Sequence, residues 1–322
     1  MKKILGEMRV KNKMKPIFRG NSFVLIIVTL QFIGSIVLGS TIGDKLTTGQ
    51  LLVFSQVAFL LIPTVIYFMV TKKPIKETLK LNKLYVTDII CLIAIGILCY
   101  PIAGLCANIS SIFFENNVQA VVNELEGTSY ITLIGIMALT PALCEELVMR
   151  GVVLSEYKYK TTFKAAVMNG IIFGLMHLSG QQFLYAAILG FVFAYIVRVT
   201  GSLFSTMIVH FVFNGFNMTV SYFATKFQSD AVMETGPMTV DVFLSAIITL
   251  SIISVISGTI IWFLIRSMKK KREKLNLDSS CHDENEEDNF LDEVWEYKKE
   301  TMVNLPFILL VIFNIVFIKL FE

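Results

Sequence analysis

Residues 131–151 read ITLIGIMALTPALCEELVMRG. From Ile131 to Leu143 there is no charge, and then two glutamates and an arginine follow within six positions. Such a run is long enough to cross a bilayer, which takes about 20 predominantly apolar residues, yet it carries ionic groups that hydrocarbon does not tolerate unless they face a protein interior. A membrane-spanning helix with a polar function on one face reconciles the two features.

The rest of the chain extends the pattern. Of 322 residues, 55% are hydrophobic and 16% charged, with a mean hydropathy of +0.69. A soluble domain averages nearer a quarter charged residues, so the composition points to a membrane protein. Apolar runs predict nine spans at 22–41, 51–71, 87–107, 129–150, 164–179, 182–199, 202–224, 242–265 and 305–321. Each must be helical, because lipid offers an open backbone no hydrogen-bond partner. The basic stretch 1–20 delays the first apolar run, which reads as a retained anchor rather than a cleavable signal.

Charge sets the expected orientation. Lysines and arginines cluster before the first span, between spans two and three (Lys72 to Lys83), around Arg150 to Lys164, at Arg198 and at Arg266 to Lys271. The alternate loops hold Glu115, Glu124, Glu126, Asp230 and Glu234. The positive-inside rule then places the N-terminus in the cytoplasm. The predicted organisation is a basic N-terminus (1–20), helices one to three (21–128), a polar core (129–222), a further helix (241–266), a charged cytoplasmic loop (267–303) and a C-terminal helix (304–322). That loop, with His282 in its acidic part, reads as solvated. Of the five cysteines, none forms a CxxC pair, and Cys144, at the end of an apolar run, is read as a small hydrophobe.

Helical spacing sorts the polar groups. Glu146 and Arg150 are four apart and can pair on one face, whereas Glu145 is turned about 100° away and is the freer carboxylate. His210 and Asn214 share a face for the same reason. At 1.5 Å per residue, a hairpin turning near 159–162 returns His177 to the height of Glu145, and His210 with Asn214 rises to meet them. Three helices thus converge on one buried polar pocket. Gly170 with Gly174, and Ala186 with Gly190 and Ala194, are small faces that let helices pack closely.

The segments "EELVMR" (145–150), "FGLMH" (173–177) and "HFVFN" (210–214) resemble, in order and spacing, the EExxxR, FxxxH and HxxxN/B motifs of the CAAX-protease and bacteriocin-processing (CPBP, or Abi) family of intramembrane proteases. The resemblance covers about residues 129–219. It implies an all-α, polytopic membrane protein in a plasma membrane of bacterial type, with an eight-helix core to which this chain adds a ninth helix. It further implies an endopeptidase in which Glu145, with His177, activates a water. His210 and Asn214 would bind the oxyanion, and Glu146 would support the site with Arg150 and the motif residue Phe173. Expected partners are a membrane-associated peptide or protein substrate, membrane lipids and a regulatory membrane protein, with no nucleic acid. The resemblance favours water activated by glutamate, with no cofactor fixed by it. Zinc on Glu145, His177 and His210 is the open alternative, a His₂Glu set with a free position for water, although no HExxH is present. Two other functions stay open: a non-catalytic immunity or scaffold protein, and an ion carrier, for which the inverted repeats of transporters are missing.

Overall fold

The computed structural model describes residues 14–228, 240–274 and 297–321, all helical or connecting among those residues. The helices are α1 (Pro16–Thr41), α2 (Thr48–Thr71), α3 (Ile75–Thr78), α4 (Val86–Ser110), α5 (Asn117–Glu124), α6 (Tyr130–Glu156), α7 (Thr162–Met176), α8 (Gly180–Thr200), α9 (Leu203–Gln228), α10 (Val240–Lys274) and α11 (Leu305–Phe321). The chain is an all-α, multi-pass membrane protein. Seven of these helices (α1, α2, α4, α6, α8, α9 and α10) are long and apolar enough to cross a membrane. Their outer faces carry large exposed apolar side chains, among them Ile26, Val65, Ile90 and Ile248.

The helix ends follow local chemistry. Thr47 and Gln50 form a reciprocal capping box at α2, and Ser129, Thr161 and Ser179 accept first-turn N–H groups at α6, α7 and α8. Gly201 ends α8 at φ +63°, where a residue without Cβ is unstrained.

Two of the nine predicted spans fall short. Helix α7 has 15 residues and α11 has 17, which at 1.5 Å per residue gives about 22 and 25 Å, against roughly 30 Å of hydrocarbon. Predicted to run to 179, α7 instead stops at Met176, and its residues from Met168 to Gly170 and from Ile172 to Met176 are all buried. A helix this short ends before a full crossing, with its C-terminal turn buried among the other helices. Irregular backbone survives within a membrane only inside protein or beside a polar cavity.

Helices α2 and α6 are not uniform α-helices. They widen to π-helix at Val57–Leu61 in α2, and at Gly135–Leu139 and Leu147–Val153 in α6. The first two bulges have one cause. Pro63 and Pro141 each lie just beyond a bulge, and a proline clashes with the carbonyl four residues back, which is Phe59 or Met137, inside the widened turn. The third bulge is pinned from outside: the Met149 carbonyl accepts from Leu154 N–H and from the buried Asn169 amide of α7 at 2.8 Å.

Close helix contacts depend on the small residues. A Cβ on Gly170 would meet the Ala187 carbonyl at 2.5 Å, and one on Gly190 would meet Gly170 Cα at 2.9 Å. Helices α7 and α8 thus touch backbone to backbone, as their glycine spacing predicts. Helix α4 packs against α8, α9 and α10 around Leu92, Ile95 and Cys99.

On the side where α6 ends, Glu156 is buried and binds three elements. Arg19 of α1 donates two hydrogen bonds (2.6 and 2.7 Å), Lys73 pairs at 2.8 Å, and the Tyr67 hydroxyl of α2 donates a third. Within the charged segment 267–303, expected to be solvated, α10 continues to Lys274, and Tyr297 and Glu300 are buried. Glu300 accepts from the N–H groups of Ile17 and Phe18, filling the free donors at the start of α1. His282 and Asp230 lie outside the described residues.

Candidate active site

The EELVMR residues lie in the middle of α6, with Glu145 and Glu146 ending the α-helical stretch between its two π-segments and Leu147 to Arg150 opening the second. Glu146 is fully buried and Arg150 is 1% exposed. The Arg150 Nη1 donates to Glu146 Oε1 at 2.9 Å, the pair that the spacing predicts, and Nη2 donates to the Gly190 carbonyl at 3.3 Å. The guanidinium lies 4.3 Å from the Phe173 ring centre and 5.2 Å from that of Phe193. A planar cation suits such a slot, because its faces are weakly hydrated and attracted to aromatic rings.

Glu146 has a second partner. His210 of α9 donates Nδ1–H to the same Oε1 at 2.9 Å. A carboxylate beside arginine can only accept, so the ring nitrogen facing it must carry the proton. The other nitrogen, Nε2, then points toward Glu145, 4.0 Å from Oε2. His210 thus bonds one of the two adjacent glutamates through Nδ1 and faces the other with Nε2. Glu145 is outside the ion pair and is the more exposed of the two, at 9%.

His177 sits at the C-cap of α7 rather than within a helix, followed by Leu178 at φ +49° and the capping Ser179. Its Nδ1 bonds the Phe173 carbonyl at 2.8 Å. That carbonyl is one of the orphan acceptors at a helix end, so Nδ1 is the donor and Nε2 remains free. The left-handed Leu178 is a strained conformation for a branched side chain, held where Gly180 packs under Phe114. Phe173 stands between the two histidines, 4.8 Å from His177 and 6.1 Å from His210, edge-on to both. Asn214 is half-buried one turn beyond His210 and makes no hydrogen bond among the described residues.

The structure therefore joins Glu145, Glu146, Arg150, Phe173 and His210 directly, with His177 beside Phe173. Among the described residues, no three His, Cys, Asp or Glu side chains are placed to hold one metal ion. Glu145, His177 and His210 do not form a His₂Glu set in this arrangement, and no step below passes through a metal.

Residues 127–216 match the family model described as type II CAAX prenyl endopeptidase Rce1-like. Over that segment the chain is similar to the CAAX prenyl endopeptidase family. That segment runs from the Gly127 turn before α6 into α9 and contains all six polar positions named above. No curated protein and no solved structure matches the chain.

Three further contributors to the candidate site escaped the sequence reading. Gln56 of α2 donates Nε2–H to Glu145 Oε1 at 3.1 Å. Its signal was available, as a lone amide within an apolar span. Phe193 of α8, and the Gly190 carbonyl beside it, complete the cradle for Arg150. Apolar packing and backbone groups of this kind leave no recognisable spacing.

Proposed function

We propose that this protein is an intramembrane endopeptidase that hydrolyses a peptide bond in a membrane-associated peptide or protein. The observation that carries this reading is the linkage through His210. One imidazole bonds Glu146, which Arg150 neutralises, and turns its other nitrogen to Glu145, which lies outside that ion pair.

In this reading Glu145 takes a proton from water as the water oxygen attacks the substrate carbonyl. The carbonyl π electrons move to oxygen, and that oxyanion is met by His210 and Asn214, one turn apart on α9. With His210 doubly protonated, its Nε2–H becomes the donor, and Glu145, Glu146, Arg150 and His210 then sum to zero charge. Collapse of the intermediate breaks the C–N bond, and the proton held on Glu145 passes to the leaving amine. His177, its Nδ1 engaged with the Phe173 carbonyl, keeps Nε2 free as a hydrogen-bond acceptor in the site, and the transferred proton itself goes to Glu145. The water is activated by Glu145 without metal.

The family description names prenylated CAAX substrates, and a prenyl-cysteine peptide is the substrate class we propose to test first. The proposed orientation follows the charge alternation, with the start of α1 and the Lys72–Lys83 connection cytoplasmic. Cysteine introduced at Lys76 should label only after permeabilisation, and at Lys45 from outside intact cells. The function itself is tested by comparing membrane peptides from cells carrying wild-type protein or Glu145→Ala. Uncleaved precursors should accumulate only in the variant. Identical peptide sets together with full biological function in Glu145→Ala would favour a binding protein instead.

A further inference from the structure

Gln56 lies outside every motif of the site, on α2, at the last residue before the π-segment Val57–Leu61. Its amide orientation is fixed by chemistry. An ionised Glu145 can only accept, so the 3.1 Å contact must be made by Nε2–H. That leaves Oε1 as an acceptor, and Oε1 is buried with no hydrogen-bond partner among the described residues. Buried amide oxygens are rarely left this way, and those that are deserve a donor.

The donor must satisfy a geometric condition. Bond lengths place the amide O and N about 2.3 Å apart. With 3.1 Å from Nε2 to Glu145, Gln56 Oε1 is no more than about 5.4 Å from Glu145 Oε1. Two hydrogen bonds of about 2.8–3.0 Å donated by one water at its tetrahedral angle span about 4.5–4.8 Å, a separation within that limit. A water has two O–H groups and a free lone pair, so one molecule can serve both acceptors while presenting a nucleophile.

We propose that Gln56 is a water-positioning residue of the peptidase site: its Nε2–H fixes the Glu145 carboxylate, and its Oε1 accepts one O–H of the attacking water. This rests on the reading of Glu145 as the base. The balance is simple. One O–H bond of the water breaks and its proton goes to Glu145, while the oxygen lone pair forms the new C–O bond and the carbonyl π pair becomes the oxyanion. The second O–H stays intact on the tetrahedral carbon, still donating to Gln56. When the C–N bond breaks, the Glu145 proton leaves on the amine.

The test uses full-length protein in detergent and a quenched-fluorescent farnesylated peptide ending in a CAAX sequence. Gln56→Leu, similar in size, should lower kcat roughly 10- to 100-fold with KM little changed, the loss of a charge-assisted hydrogen bond felt in the transition state. Gln56→Glu places a second carboxylate against Glu145, which retains a shared proton, so the acid limb of the pH–rate profile should move to higher pH. A merely structural glutamine would not move that limb. The contact is also read without turnover: the Glu145 carboxylate stretching bands, isolated as wild type minus Glu145→Gln by infrared spectroscopy, should shift in Gln56→Leu. Should Gln56→Leu fail to accumulate, Gln56→Glu and Gln56→Asn carry the same measurements. Unchanged kcat, unchanged pH profile or unshifted bands in folded variants overturns the role of Gln56 while leaving Glu145 as base. Activity retained by Glu145→Gln instead overturns Glu145 as the base, the reading from which the role derives, and a wild type that cleaves no peptide overturns the peptidase reading itself.

Discussion

Removing the Arg150 guanidinium probes the support of the site most sharply. Arg150 and Glu146 are both essentially inaccessible, bonded at 2.9 Å, with the arginine held between Phe173 and Phe193. In Arg150→Met the apolar volume is largely kept, but a buried carboxylate loses its counter-charge. Breaking one side of a buried pair costs about 3–5 kcal/mol. At roughly 2–4 °C per kcal/mol for a chain of this class, the melting midpoint should fall by about 6–20 °C. Replacing both partners, Glu146→Leu with Arg150→Met, removes the orphaned charge and should recover most of that loss. A deficit of about 1–3 kcal/mol should remain, because His210 Nδ1–H then has no acceptor. The assay is the fraction of monodisperse protein surviving a temperature series in detergent, read by size-exclusion chromatography. A single variant that melts with the wild type, or a double variant worse than the single one, would refute the buried-pair reasoning.

Close packing of α7 on α8 predicts that Gly170→Ala destabilises, by about 1–3 kcal/mol, as its Cβ meets backbone at 2.5 and 2.7 Å. Gly39→Ala, which meets nothing within 4 Å, should melt like wild type in the same experiment. Outside the spans, burial and the neighbouring Arg198 push Lys80 down to about 8. The folded protein then binds fewer protons than the unfolded chain between about pH 8 and the ordinary lysine value, so stability should rise with pH across that window. Melting midpoints from pH 7 to 10 should show this rise, and Lys80→Met should flatten it.

Much of the site was legible because helical spacing is a strong constraint. Glu146 four residues before Arg150, and the glycines of α7 and α8, have few ways to be arranged once the segments are helical. The depth argument for His177 reached the right neighbourhood by an inexact route, since it assumed uniform helix. Proline-driven bulges change the turn count along α2 and α6, and Pro63 and Pro141 were visible signals of them. Hydropathy alone also overextended α7, because Leu178 is apolar yet lies in the turn. Contacts between distant segments were beyond reach. Nothing local in the sequence links Gln56 to Glu145, or Glu156 to Arg19, Lys73 and Tyr67, because tertiary packing rather than periodicity brings them together.

The central claim is that Glu145 is the base and needs no metal. The direct measurement is the initial rate of cleavage of the farnesylated CAAX peptide by purified protein, with and without a strong chelator, for wild type and Glu145→Gln. Wild type should cleave at the same rate in chelator, and metal analysis should find no stoichiometric zinc. Glu145→Gln, purified at near wild-type yield, should lose at least the roughly 10²–10⁴-fold that a positioned base supplies. Cleavage by Glu145→Gln at the wild-type rate, or one zinc per chain with activity abolished by chelator, would contradict it.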